Sequence, residues 1–147
     1  FIVTNYPNSG LSNTQNIRII RDFYDVFIAN SEYFPLQNKI LSLKELLNYP
    51  ILMLDRKSTT SEFLHNLFQK HQLDLVPEIE LSSNDLLIDL AKIGLGIAFV
   101  PDFCMPAGEK NLFILHLEEK LPARQMVVVY NENIPISQAA KQFMDIL

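Results

Sequence analysis

Apolar positions along this chain fall into short continuous runs separated by longer stretches in which they recur every three or four residues. The runs read as strands at Phe1–Thr4, Ile17–Ile20, Phe23–Ala29, Ile51–Leu54, Glu78–Leu81, Ile97–Val100, Leu112–Leu117 and Gln125–Tyr130. Ser42-Leu43-Lys44-Glu45 has the spacing of a capping box, with Leu41 and Leu46 placed as a hydrophobic staple and Tyr49-Pro50 as a stop. Thr59-Thr60-Ser61-Glu62 reads as a second box, opening a helix with Phe63, Leu64, Leu67 and Phe68 on its apolar stripe. A third helix opens near Ser83 and carries Leu86, Leu87, Leu90, Ala91 and Ile93 to a stop at Gly94. Ser137 opens the last, with Ala140, Phe143, Met144 and Leu147 on one face. Helices that alternate with short apolar strands predict an α/β fold with a largely parallel sheet.

The two glycines of Gly94-Leu95-Gly96 invite comparison with a dinucleotide-binding loop. Such a loop runs strand, glycines, helix, because the phosphate sits on the amides of the helix start. Here the order is reversed, and Phe99 stands where a third glycine would fall. The pair is therefore read as a helix stop followed by a buried strand.

Composition narrows the class. With 147 residues and 48% apolar content, the chain can build one full core or two small lobes, and disorder is excluded. A net charge of −5 argues against a nucleic-acid surface on these residues. Cys104 is the only cysteine, so no intrachain disulfide can form and a reducing, cytoplasmic setting is expected. No apolar run approaches the roughly 18 residues of a membrane span, so no membrane partner is expected. The chain opens on Phe1-Ile2-Val3, in the middle of a strand and without an initiating methionine or a signal peptide, and is read as a piece of a longer protein.

The search for chemistry finds no active site, and the chain is expected not to be an enzyme. His65 and His71 lie six apart on one helix and so on different faces, and His116 lies in a strand without a ligand motif; no metal or other cofactor is expected. Cys104 follows a strand, where a nucleophile could sit, but reads as a small apolar filler. Asp55 and Asp102 also follow strands and read as turn and cap residues; Glu118-Glu119-Lys120 reads as a solvated turn. Arg56-Lys57-Ser58-Thr59-Thr60-Ser61 stands apart, offering two cations and four hydroxyls at the start of a helix. Two readings of it stay open: a solvated loop with a good cap, or an anion site beyond the carboxyl end of a strand.

The order of motifs adds a resemblance. "ILSLKELLNYPILML", the Ser/Thr loop, "IGLGIAFVP" and the closing "ISQAAKQFMDIL" resemble the effector-binding domain of LysR-type transcriptional regulators from about Asp22 to Leu147. The resemblance implies a periplasmic-binding-protein-like, two-lobed α/β fold with the effector between the lobes. The second lobe, residues 30–130, would be complete. The first would be partial, as residues 1–29 and, after the second hinge, 131–147; the hinges fall near Phe27–Ala29 and Tyr130–Asn131. Carried over by position, the effector-binding residues are Ser58, Thr59 and Thr60, with Thr4 and Asn5 on a turn of the first lobe, and Asn84 and Pro101 at the cleft edge. The implied partners are a small, anionic effector, a second copy in a homodimer or homotetramer, and DNA through a winged helix-turn-helix absent from this chain. A solute-binding protein of a transporter would share the fold. An enzyme on the same scaffold would need Asp55, Asp102 or Cys104 to be catalytic.

Overall fold

The structure, a computed structural model, describes residues 1–13 and 15–147. In chain order the strands are β1 (Ile2–Tyr6), β2 (Asn16–Phe23), β3 (Asp25–Asn30), β4 (Ile40–Leu41), β5 (Ile51–Leu54), β6 (Ile79–Leu81), β7 (Ile97–Pro101), β8 (Leu112–Ile114), β9 (His116–Leu117) and β10 (Arg124–Tyr130). The α-helices are α1 (Leu43–Leu46), α2 (Thr59–Lys70), α3 (Asn84–Lys92) and α4 (Gln138–Ile146), and Asp102–Cys104 forms one 3-10 turn. The chain divides into two compact units, Phe1–Phe23 with Ala123–Leu147 and, between them in sequence, Tyr24–Pro122.

The first unit is an antiparallel sheet in the order β1-β10-β2, accompanied by α4. Its central strand buries Val127, Val128 and Val129. Ser137 caps α4 by accepting from the Ala140 amide at 3.2 Å, and Arg18 Nη1 donates to the Met144 carbonyl at 2.9 Å. None of α4 is buried, and Ile2, Ile19 and Ile146 stay exposed.

The second unit holds a five-stranded sheet in the order β6-β5-β7-β3-β8. Strands β6, β5 and β7 are mutually parallel. The direction of travel explains where the helices lie. From β5 the chain moves outward through α2 to β6, then back through α3 to β7 on the other side of β5. Two right-handed crossovers in opposite directions place their helices on opposite faces of the sheet. Strand alternation agrees: Ile51, Met53, Ile97 and Phe99 pack with Leu64, Leu67 and Phe68 of α2. Leu52, Ala98 and Val100 pack with Leu87, Ile88 and Ala91 of α3. Ser42 and Glu45 complete their capping box, with Leu41 and Leu46 in one buried cluster.

Several expectations are corrected. The sheet is mixed rather than largely parallel, because β3 runs antiparallel to both β7 and β8; hydrophobic pattern reports burial and carries no strand direction. The single run Phe23–Ala29 breaks at Tyr24, since Phe23 closes a strand of one sheet and Asp25 opens a strand of the other. Phe27, Ile28 and Ala29 are core residues of the second unit, and β10 lies in the sheet of the first. Leu112–Leu117 likewise splits at buried Leu115, whose amide donates to the Phe27 carbonyl at 2.8 Å. The face of α3 that packs is Leu87, Ile88 and Ala91, while Leu86 and Ile93 point to solvent.

Gly94 and Gly96 have separate physical reasons. Gly94 sits at φ 80°, where it ends α3, and a Cβ there would run into the ring of Tyr33. A Cβ on Gly96 would stand 2.6 Å from the Pro50 carbonyl oxygen and 2.9 Å from Leu52. Tyr33 is exposed and can turn aside, whereas the Pro50 backbone starts the central strand pair and cannot. Gly108, at φ 76°, has open space around it. We therefore expect Gly96→Ala to destabilise most, by about 2–4 kcal/mol, Gly94→Ala less, and Gly108→Ala by about 1 kcal/mol. Thermal melts of the three variants check the ranking, and Gly108→Ala melting below Gly96→Ala would refute it.

Candidate functional site

Because β5, β6 and β7 are parallel, their carboxyl ends lie along one edge of the sheet, the edge at which open α/β sheets collect ligands. Leu54, Leu81 and Pro101 end these strands. The backbone after β5 is tightly tied. The Asp55 amide donates to the Leu81 carbonyl at 2.8 Å, its carboxylate accepts from the Lys57 amide at 3.1 Å, and its carbonyl accepts from the Ser58 amide at 3.0 Å. Asp55 thus serves the turn, as expected.

This turn delivers Ser58 as the cap of α2. Its Oγ accepts from the Ser61 amide at 3.0 Å. The cap is Ser58 and not Thr59, one residue before the expected box, because the Asp55 turn fixes Ser58 in extended backbone and lets helix begin at Thr59. The four hydroxyls consequently differ in role. Ser58 is committed to the cap, Thr59 is half-buried, Thr60 is 2% exposed, and Ser61 is 0% exposed with no hydrogen-bond partner for its Oγ. The first-turn amides still point out of the helix start with its partial positive charge.

The charges around the turn are partly spent. Arg56, with 77% of its side chain exposed, approaches Glu80 of β6 at 3.9 Å, and Lys57 is exposed. Burial pushes the His65 imidazole below its ordinary pKa, helped by the Arg56 cation and opposed by Glu80 and Asp74. Its Nε2 atom is buried and has no hydrogen-bond partner.

Asn84 opens α3 just after β6, with Ser83 as the cap whose Oγ accepts from the Leu86 amide at 3.3 Å. The Asn84 Oδ1 is buried without a partner. Pro101 is buried at the end of β7. The strand order thus brings Ser58, Thr59, Thr60, Asn84 and Pro101 to one sheet edge. Thr4 and Asn5 belong to the first unit and lie inside β1, paired with Val127 and Met126, rather than on a turn. The Thr4 hydroxyl accepts from Asn8 Nδ2 at 3.1 Å.

Residue pattern alone missed Ser61 and His65 as members of this edge. Ser61 was absorbed into the expected capping box, and His65 was weighed only as a metal ligand. The signal was present in the spacing 58, 61, 65, which puts three polar side chains on one face of an amphipathic helix. Other candidates resolve into structural roles. Cys104 packs against the cluster on the α3 side of the sheet, and burial, with Asp85, Asp102 and Asp25 nearby, pushes its thiol pKa up. Asp102 accepts from the Tyr24 amide at 3.4 Å. Glu119, expected in a solvated turn, reaches back to accept from the Leu43 amide of α1 at 3.0 Å. Among the described residues no group of three or more His, Cys, Asp or Glu side chains could hold a metal ion, and no helix is long and apolar enough to cross a membrane.

Comparison with known proteins agrees with this fold. Residues 11–147 match the LysR substrate binding domain, and the chain belongs to that family. It is 27% identical over 134 residues to the HTH-type transcriptional activator CmpR of Synechocystis sp., covering 90% of this chain. The chain spans 44% of the length of that relative. Among solved structures, the Synechocystis PCC6803 CcmR regulatory domain in complex with 2-PG matches with a TM-score of 0.83 at 23% identity, covering 98% of this chain and 69% of that one. The effector binding domain of QuiR in complex with shikimate matches with a TM-score of 0.80 at 14% identity, covering 97% and 68%. The periplasmic-binding-protein-like α/β fold expected from the resemblance is the fold of this chain.

The caps that build the edge are separable from anything that binds there. Ser58→Ala and Ser83→Ala should each cost about 1 kcal/mol of stability, and Ser58→Asp should restore most of it. Chemical denaturation of the variants checks this, and an unchanged midpoint for Ser58→Ala would remove Ser58 from the cap.

Proposed function

We propose that this chain is the sensing part of a LysR-type transcriptional regulator and that it takes up a small anionic effector at the carboxyl edge of β5, β6 and β7. The observation that carries the reading is the amino end of α2, a twelve-residue helix entered through the fixed Asp55 turn. There, outward amides and the Thr59 and Thr60 side chains adjoin a fully buried Ser61 hydroxyl that has no protein partner. An anion gains charge-assisted hydrogen bonds and a favourable dipole at such a position, each contributing about 1 kcal/mol. A neutral apolar ligand gains neither. Asn84 and Pro101 border the same edge. The complexes of CcmR with 2-PG and of QuiR with shikimate support a small-molecule effector for this fold.

The protein is on this reading a receptor and not an enzyme. Asp55, Asp102 and Cys104 already have turn, backbone or packing duties, and none is joined to a base. DNA binding is assigned to sequence outside this chain, in keeping with the net charge of −5. The regulator works in the cytoplasm as a homodimer or homotetramer.

Calorimetry on the full-length protein with sulfate, phosphate, a series of carboxylates and their neutral amides tests the reading. An anion should bind best, and Thr60→Val should weaken it about tenfold, or roughly 1.4 kcal/mol. A neutral amide binding more tightly than its carboxylate, or Thr59→Ala and Thr60→Val leaving the best anion unchanged, would overturn it.

A further inference from the structure

Ser58, Ser61 and His65 follow the spacing i, i+3, i+7 on α2, so they line one face of the helix from its amino end inward. Two of the three carry buried hydrogen-bonding atoms that the protein does not satisfy, Ser61 Oγ and His65 Nε2. Ser61 is fully buried on the first turn, and His65 stands one turn further in. Buried polar atoms are almost always paired, so two orphans on adjacent turns of one helix face mark a place left for another species. This is an observation independent of the helix dipole.

The charged groups facing His65 come from each neighbouring segment. Arg56 reaches it from the turn after β5, Asp74 from the loop after α2, and Glu80 from β6; Glu62 lies one turn earlier on α2 itself. Arg56 and Glu80 are 3.9 Å apart and largely offset one another. His65 therefore sits in a partly desolvated place where Asp74 and Glu62 remain after Arg56 and Glu80 offset one another, and a new charge close by is weakly screened.

We propose that an anion bound at the amino end of α2 draws a proton onto His65, so that effector binding is linked to proton uptake and tightens as pH falls. The inference rests on the anionic reading above and specifies its regulation. In the empty protein, burial and Arg56 hold the imidazole below its ordinary pKa, so it is neutral near pH 7. Six residues separate Thr59 from His65, about 9 Å of helix rise, a distance at which salt does not fully screen a charge inside a protein. The anion opposes the Arg56 cation and raises the histidine pKa by about half a unit to one unit. Linkage is reciprocal, so a protonated His65 strengthens anion binding by the same factor, about three- to tenfold. His71, the C-terminal cap of α2, and His116, on β9, occupy other faces and take no part.

Sulfate is the probe, because its charge is constant from pH 5 to 8. Titration calorimetry of the full-length protein, in buffers of different ionisation heat, should show sulfate affinity about three- to tenfold higher at pH 5.5 than at pH 8, with proton uptake between. His65→Gln should bind sulfate as wild type does at pH 8 and lose that gain, while His71→Gln and His116→Gln keep it. Should His65→Gln fail to fold, the His65 ring proton in wild type reports directly, its NMR titration midpoint rising when sulfate saturates the protein. Sulfate binding with an unmoved His65 midpoint, or His65→Gln keeping the full pH gain, overturns the proton linkage and leaves the anion site standing. No sulfate binding at any pH overturns both.

Discussion

The close approach of Gly96 to Pro50 is the constraint on which the receiving unit depends. The Ile97 amide donates to the Pro50 carbonyl at 2.8 Å and starts the parallel pairing of β7 with β5, and only a residue without a Cβ fits beside that carbonyl. Once β7 is set against β5, the fully buried run Ile97–Val100 must show alternate side chains to two different helices. The same pairing fixes where β5 and β7 end. The hydroxyl turn, the α3 cap and Pro101 share an edge for this reason, although they are spread over more than forty residues of sequence.

The alternation of faces has a second consequence, felt at the edge strand. Ile79 and Leu81 of β6 pack on the α3 side, so Glu80 between them projects to the α2 side. There it meets Arg56 and the surroundings of His65. An apolar residue at position 80 would have extended the α2 core to the sheet margin. A glutamate makes the margin polar instead and sets a carboxylate beside Arg56 and near the His65 imidazole. Helix α2 thus buries Leu64 and Leu67 in the core while its Ser61 Oγ and His65 Nε2 are buried without hydrogen-bond partners.

Much of this was legible in the residues. Continuous apolar runs located six of the eight expected strands inside observed ones or across two of them, the other two starting one residue early, and the Ser42, Ser83 and Ser137 caps stand where serine spacing placed them. What periodicity could not supply was pairing. Phe23–Ala29 is one apolar run in sequence and two strands of different sheets in space, and Leu112–Leu117 behaves the same way, because burial looks alike on either side of a change of partner. The two-residue strand Ile40–Leu41 is too short to have a period and exists only through its parallel partner, His116–Leu117. At the candidate site, the hydroxyl run was visible, but its division into a cap and a buried, unsatisfied Ser61 depends on the Asp55 turn. That turn depends in turn on β6 lying beside β5, since the Asp55 amide is held by the Leu81 carbonyl.

The charge balance bears on the anion recognition proposed for this edge. The chain carries a net charge of −5, and Arg56, one of the two cations before the α2 cap, is engaged by Glu80 and mostly in water. Long-range attraction therefore contributes little, and the exposed Lys57 is screened within about 8–10 Å at ordinary ionic strength. What remains at short range are the first-turn helix amides, whose directions are set by the turn, and the hydroxyls beside them. Such donors reward the geometry of an oxyanion more than its total charge. On the proposed reading, such donors would rank anions by shape and hydrogen bonding more than by net charge.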